Sequence, residues 1–195
     1  SPYWLSYPEI IKLAGGKPVF LESSATNGFK IDIDKLNSKI SPKTKFIIIN
    51  SPNNPTGQVL TKEELQDMAD VLRKNKTVSL ISDEIYELIL KEGLKHISIA
   101  SLAKDLSKRI FTINGFAKGW AMTGWRVGYL VGNKEVIEAS SSLQSQSTSN
   151  VCSFVQRGAL AALKINRNFF IEMNKKYDER RTILYEGLKK LNGIK

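Results

Sequence analysis

Lys118 sits in the stretch Gly115-Phe116-Ala117-Lys118-Gly119-Trp120-Ala121-Met122-Thr123-Gly124-Trp125-Arg126-Val127-Gly128-Tyr129, just beyond the β-rich run Arg109 to Asn114. Glycines and tryptophans surround it, not the mixed charges of a solvated surface. A primary amine so placed is suited to attack a carbonyl or to carry a proton. Arg126, further along the same loop, has the planar guanidinium that suits two-point contact with a phosphate. Two other segments put polar groups after apolar runs. Asn50-Ser51-Pro52-Asn53-Asn54-Pro55-Thr56-Gly57 follows Phe46 to Ile49, and Ser82-Asp83-Glu84-Ile85-Tyr86-Glu87 follows Val78 to Ile81. Taken singly, the first is a turn fixed by proline and glycine, the second a helix cap, and the arginine a structural cation. Taken together, lysine, asparagine, aspartate, tyrosine and arginine converge on one rim of one sheet, where open α/β sheets present their ligands.

That rim has to be built by the elements around it. Lys17 to Glu22, Lys45 to Asn50, Val78 to Asp83, Arg109 to Asn114 and Val127 to Val131 read as strands, with helical patterns between several of them. The alternation predicts an α/β fold, a mainly parallel sheet flanked by helices. Thr61-Lys62-Glu63-Glu64 opens one helix with a capping box, and Leu65, Met68, Ala69 and Leu72 follow as its core stripe. Tyr7 to Ala14 is a shorter helix stopped by Gly15-Gly16, and Lys134 to Leu143 is another. The serine-rich run Ser140 to Asn150 reads by composition as a flexible linker. From Asn166 onward Phe169, Phe170, Met173, Tyr177, Leu184, Leu188 and Leu191 mark one face of a long helix, as core and not as cofactor contacts.

At 195 residues and 42% apolar composition, the chain can bury one substantial core. Its apolar runs are too short to span a bilayer, and the first residues have no secretory character. The formal net charge of +10 invites a nucleic-acid reading, but the lysines are scattered and mixed with acids, as in Lys175-Lys176-Tyr177-Asp178-Glu179-Arg180-Arg181. A solvated surface is the better account, and neither nucleic acid nor membrane is expected as a partner. One cysteine, Cys152, excludes an intramolecular disulfide, which fits a reducing, cytoplasmic compartment. One histidine, His96, excludes a histidine-based metal site. His96 reads as an exposed loop residue and Cys152 as a small buried one.

Ser1 to Glu9, Asn50 to Gly57, Ser82 to Tyr86, Asn114 to Tyr129 and Leu143 to Asn150 together resemble the fold-type I pyridoxal-phosphate enzymes. The likeness is to the class I and II aminotransferases, in the bacterial aspartate aminotransferase subgroup. It covers essentially the whole chain, and the lysine loop with Ala-Met-Thr-Gly-Trp-Arg is its most specific part. The resemblance implies that Lys118 forms the internal Schiff base with pyridoxal 5'-phosphate and then shuttles the substrate proton. It implies that Asp83 faces the pyridine nitrogen and keeps it protonated, and that Asn54 and Tyr86 hydrogen-bond the ring's phenolic oxygen. Arg126 would pair with the phosphate and Trp4 would stack on the ring. The family often has a serine three residues before the lysine as a phosphate ligand; here that position is Gly115. The run Leu143 to Asn150 then reads as ordered, near a homodimer interface.

Members of that family are about twice this length, so the resemblance implies a fragment. Residues 1–165 would be part of the cofactor-binding large domain, and residues 166–195 the long helix leading toward a small domain. Absent parts would hold a glycine-rich phosphate loop, a partner-subunit tyrosine and the arginine that grips the substrate carboxylate. The implied reaction moves an amino group between an amino acid, aspartate first, and a 2-oxo acid, 2-oxoglutarate first. Aromatic or prephenate aminotransferase, carbon-sulfur lyase and cyclopropane-carboxylate synthase activities use the same residues. A catalytically silent, aminotransferase-like regulatory or binding domain is the reading from another class. Two further expectations are weak cofactor binding by this piece alone and an exposed sheet edge at Lys17 to Glu22.

Overall fold

The computed structural model describes residues 1–193. Four strands form one sheet in the order β1-β2-β3-β4: β1 Phe46–Asn50, β2 Ser79–Asp83, β3 Ile110–Gly115 and β4 Gly128–Val131. β1 to β3 are parallel, and β4 returns antiparallel to β3. The sheet is therefore mainly parallel with helices against it, as the alternating pattern predicts. β4 runs the other way because a short loop, not a crossover helix, joins it to β3.

Register aligns Ile47, Leu80 and Ile110 across the first three strands, so one face of the sheet is a continuous apolar row. Helix α1 spans Ser6–Leu13, α2 Ile33–Lys39, α3 Lys62–Lys74 and α4 Ile99–Leu102. α2, α3 and α4 cover that face, with Leu36, Leu65, Met68, Ala69, Val71, Leu72 and Ile99 in the same core as Leu80 and Ile110. α3 begins where its sequence says it should. The Thr61 hydroxyl accepts from the Glu64 N–H, and the Glu64 carboxylate accepts from the Thr61 N–H. At the far end of α3, Arg109 donates to the carbonyls of Leu72, Asn75 and Val78, fixing that helix to the start of β2.

Three more helices follow the sheet: α5 Lys134–Ser147, α6 Ser153–Ala162 and α7 Asn168–Leu188. The serine-rich run is thus mostly helical, not a linker. Asn133 caps α5 by accepting from the Val136 N–H, and the helix carries on through Ser147. α6 and α2 have no counterpart among the predicted helices. α2 is short and capped by Asp32, and the buried stripe of α6, Val155, Ala159 and Ala162, is made mostly of small residues.

Several expectations are corrected. Lys17 to Glu22 is not a strand: its recorded backbone pairing is with Ser1, through Ser1 to the Leu21 carbonyl and the Ser23 N–H to the Ser1 carbonyl. Without a ladder on either side it adopts an extended coil, so it makes no sheet edge. The apolar face of α7 is not core among the described residues, since Phe169 is 40% and Leu184 63% exposed. Helical periodicity shows that a face exists and does not show what packs on it. His96 is half-buried and not exposed, with its Nε2 3.0 Å from Oε2 of the buried Glu84. Cys152 is exposed, at the N-terminal boundary of α6. Among the described residues, no helix is long and apolar enough to cross a membrane.

Candidate active site

β1 and β2 end side by side, with Asn50 opposite Asp83. The Asn50 side-chain amide donates to the Asp83 carbonyl at 3.0 Å, and its Oδ1 accepts from the Asn54 N–H at 2.8 Å. Buried Asn50 thus binds the two strand ends together and starts the turn that carries Asn54. Asn53 continues that turn, accepting at its carbonyl from the Gly57 N–H and at its side-chain oxygen from the Thr56 N–H and hydroxyl. Gly57 has φ +71°, a conformation glycine adopts without steric cost.

Asp83 is buried, and both its carboxylate oxygens have donors. Tyr7 Oη donates to Oδ2 at 2.5 Å, and the Ile85 N–H donates to Oδ1 at 3.1 Å. Burial first, then the hydrogen bond to Asp83 and its negative charge, push the Tyr7 hydroxyl far above the usual tyrosine range. Trp4 packs edge-on against Tyr7, with ring centroids 5.5 Å apart. Tyr86 lies one turn beyond Asp83 and accepts from Asn54 Nδ2 at 3.3 Å. The Lys118 ammonium stands 5.8 Å from the centroid of the same Tyr86 ring, within cation–π range.

The lysine loop is held by its aromatic residues. Phe116 is buried against Ala159 and Ala162 of α6, its ring centroid 4.8 Å from that of Trp120. Trp120 in turn donates its indole N–H to the Ala162 carbonyl at 3.1 Å. The loop closes through the Ala121 N–H to the Lys118 carbonyl and the Met122 N–H to the Phe116 carbonyl. Arg126 has φ +52° and donates from Nη1 to the Thr123 carbonyl at 2.9 Å, leaving the rest of its exposed guanidinium free to meet an anion.

Asp83, Tyr86, Asn54 and Lys118 therefore form one neighbourhood at the carboxyl ends of β1, β2 and β3. Trp4 joins it through Tyr7. Arg126 lies at the end of the lysine loop, where its Nη1 donates to the Thr123 carbonyl. Asn50 and Tyr7 were not singled out from the sequence. Asn50 looks like the last residue of a strand, and nothing local to Tyr7 signals a bond to a residue 76 positions away.

Gly115 occupies the place where the resemblance expects a serine, and the structure gives the reason. A Cβ there would come within 2.8 Å of Gly128 Cα and 3.0 Å of the Val127 carbonyl oxygen, both backbone atoms. Beside the site, Glu84, Glu87 and His96 each offer a ligand-type atom within 4.8 Å of one another. The Glu84 carboxylate is already used, accepting from Ser82 and Ser98 and pairing with His96. Those bonds tie β2 to the segment before α4, while His96 Nδ1 is buried with no hydrogen-bond partner among the described residues.

An amine, a buried carboxylate, a phenol with an amide donor and a guanidinium make a set suited to a ring that carries a basic nitrogen, an oxygen, a carbonyl and a phosphate. The family profile described as Aminotransferase class I and II matches residues 1–195. The chain is 43% identical over 194 residues to an aspartate aminotransferase of Bacillus sp. (strain YM-2), an alignment covering 100% of this chain and 49% of the relative. It is 43% identical over 191 residues to a probable aspartate/prephenate aminotransferase of Rickettsia bellii (strain RML369-C), covering 98% of this chain and 48% of that one. The crystal structure of the aspartate aminotransferase from Rhizobium meliloti superposes with a TM-score of 0.95 at 36% identity, over 99% of this chain and 48% of that chain. The chain spans about half the length of the relatives it matches.

Proposed function

We propose that this chain, which belongs to the class I and II aminotransferases, contributes most of the cofactor-binding site of an enzyme that moves an amino group between an amino acid and a 2-oxo acid. Aspartate and 2-oxoglutarate are the proposed pair, and pyridoxal 5'-phosphate is the proposed cofactor, the one this family uses. One observation carries the reading: the Lys118 ammonium over the Tyr86 ring, beside a buried Asp83 at the adjoining strand end.

Bound pyridoxal phosphate supplies an aldehyde that accepts the amino group and a ring that withdraws electrons from the substrate carbon. The residues present fit its ring end well. Lys118 is the amine that would hold the cofactor and carry the substrate proton. Asp83 would face the ring nitrogen and hold a proton on it. Asn54 and Tyr86, joined by the Asn54 Nδ2 bond to the Tyr86 hydroxyl, would supply donors to the ring oxygen. Trp4, 45% exposed, offers its face for stacking. At the phosphate end this chain offers Arg126 and no Gly115 side chain, so backbone amides or residues elsewhere in the full protein would supply the remaining contacts.

The same reading takes residues 1–165 as part of the large domain and residues 166–195 as the helix toward a second domain. Residues 194–195 lie outside the described residues. A homodimer and a cytoplasmic location complete it. Prephenate or an aromatic amino acid is the second substrate reading, favoured by the naming of the Rickettsia relative.

The test uses the full-length protein. Pyridoxal phosphate is added, the adduct is reduced with borohydride, and the labelled peptide is mapped. Label on Lys118 is expected, and label confined to another lysine overturns the site. With aspartate and 2-oxoglutarate, the 2-oxo acid product is expected; pyruvate and a thiol from a sulfur amino acid, without amino transfer, point instead to a lyase.

A further inference from the structure

Tyr7 is tied to the buried acid of the site by a bond that local chain geometry cannot supply. It lies on α1, and its hydroxyl reaches Asp83 Oδ2 at 2.5 Å across 76 residues of sequence. That distance is at the short end for a hydroxyl donating to a carboxylate. The edge-on contact with Trp4 limits the orientation of the Tyr7 ring. Burial first, then the bond to Asp83 and its charge, push the hydroxyl well above the usual tyrosine range and so favour it as the donor.

We propose that Tyr7 is a positioning residue for Asp83, fixing the plane of its carboxylate toward the ring nitrogen of bound pyridoxal phosphate. The proposal rests on the functional reading above. A carboxylate facing a pyridine-type nitrogen shares one proton with it, and the proton can reside on either group. Donors to the carboxylate stabilise its ionised form and so leave the proton on the ring. Tyr7 supplies that donor on Oδ2 as the Ile85 N–H does on Oδ1, and each oxygen keeps a second lone pair for the ring. Without the hydroxyl, Oδ2 lacks its protein donor, the carboxylate is freer to rotate about Cβ–Cγ, and the shared proton moves toward Asp83.

The experiment loads the full-length protein with pyridoxal phosphate carrying ¹⁵N in its ring and records the ring-nitrogen chemical shift. Tyr7→Phe keeps the ring against Trp4 and deletes only the donor; Tyr7→His keeps an aromatic ring with an N–H donor. In Tyr7→Phe the resonance is expected to move toward the unprotonated position, with kcat lowered about tenfold and KM nearly constant, a change of about 1.4 kcal/mol in the barrier. Tyr7→His is expected to hold the resonance near that of the parent. An unmoved resonance in Tyr7→Phe overturns the proposal, as does an equal displacement in both variants, which would assign the effect to packing. If Tyr7→Phe does not fold, Tyr7→His decides alone, and a displaced resonance there counts against the donor role. Borohydride labelling of Lys118 in the parent separates the two claims. Its absence removes the functional reading, while label with an unmoved resonance removes only the role of Tyr7.

Discussion

The side-chain amide of Asn50 donates to the backbone carbonyl of Asp83 at 3.0 Å, so the last residues of β1 and β2 are joined beyond what their strand pairing supplies. Through its other oxygen Asn50 also holds the Asn54 N–H. One buried amide thereby sets the relative position of the acid and of the residue that reaches Tyr86.

Replacing Asn50 by Ala removes both bonds and leaves the Asn54 N–H without its partner. A loss of stability of about 1–3 kcal/mol is expected for such a buried deletion. Urea unfolding measures it through a lowered midpoint at constant slope. Asn50→Asp keeps the acceptor for Asn54 and loses the donor to the Asp83 carbonyl, so its pyridoxal-phosphate affinity should also fall. Equal affinity in Asn50→Asp and parent would mean that the Asn50–Asp83 bond does not position the site.

Asp83→Asn keeps the shape of the side chain and removes its charge. Tyr7 and the Ile85 N–H still face it, but the amide cannot hold a ring proton by charge. On the proposed reading, kcat should drop by about 10²–10³-fold, the scale of losing one preorganised electrostatic contact. Far-ultraviolet circular dichroism should be unchanged. Turnover within twofold of the parent would remove Asp83 from its proposed role.

Gly115→Ser restores the residue type that the resemblance expects, and the structure predicts harm from it. The new Cβ would meet Gly128 Cα and the Val127 carbonyl, which are backbone and cannot swing away as a side chain can. β3 and β4 must separate, at a cost of about 1–3 kcal/mol. Gly115→Ala should cost as much, since the clash belongs to Cβ and not to the hydroxyl. A Gly115→Ser variant that unfolds at the same urea concentration and binds pyridoxal phosphate more tightly would contradict this.

The parts of the fold legible in the sequence were those with strong local causes. The Thr61–Glu64 box, the α3 stripe and the four strands that became β1 to β4 each declare themselves within a few residues. Lys17 to Glu22 has the composition of a strand but no ladder to join, and β structure exists only by pairing. The serine-rich run shows the reverse, a helix whose composition hides it behind weak helix formers. In the site, Lys118, Asp83, Tyr86, Asn54 and Arg126 stand in recognisable strings. Tyr7 and Asn50 act through contacts between segments distant in sequence, which no local pattern records.

Alkaline unfolding offers a check on the Tyr7–Asp83 bond that needs no cofactor. An unfolded tyrosine loses its proton near pH 10. In the folded protein, burial and Asp83 hold the Tyr7 proton to higher pH, so above that point the unfolded chain binds fewer protons than the native one. Stability then falls as pH rises, because its slope with pH follows the protons bound by the unfolded state minus those bound by the native state. The contribution is fully present below about pH 10 and is lost through the range above it. Tyr7→Phe has no proton to exchange, so the stability difference between parent and variant should shrink from about pH 8 to about pH 11. Urea unfolding of both proteins across that range measures it. Parallel curves would show that Tyr7 does not hold its proton against the solvent, and hence that its bond to Asp83 is weaker than its length implies.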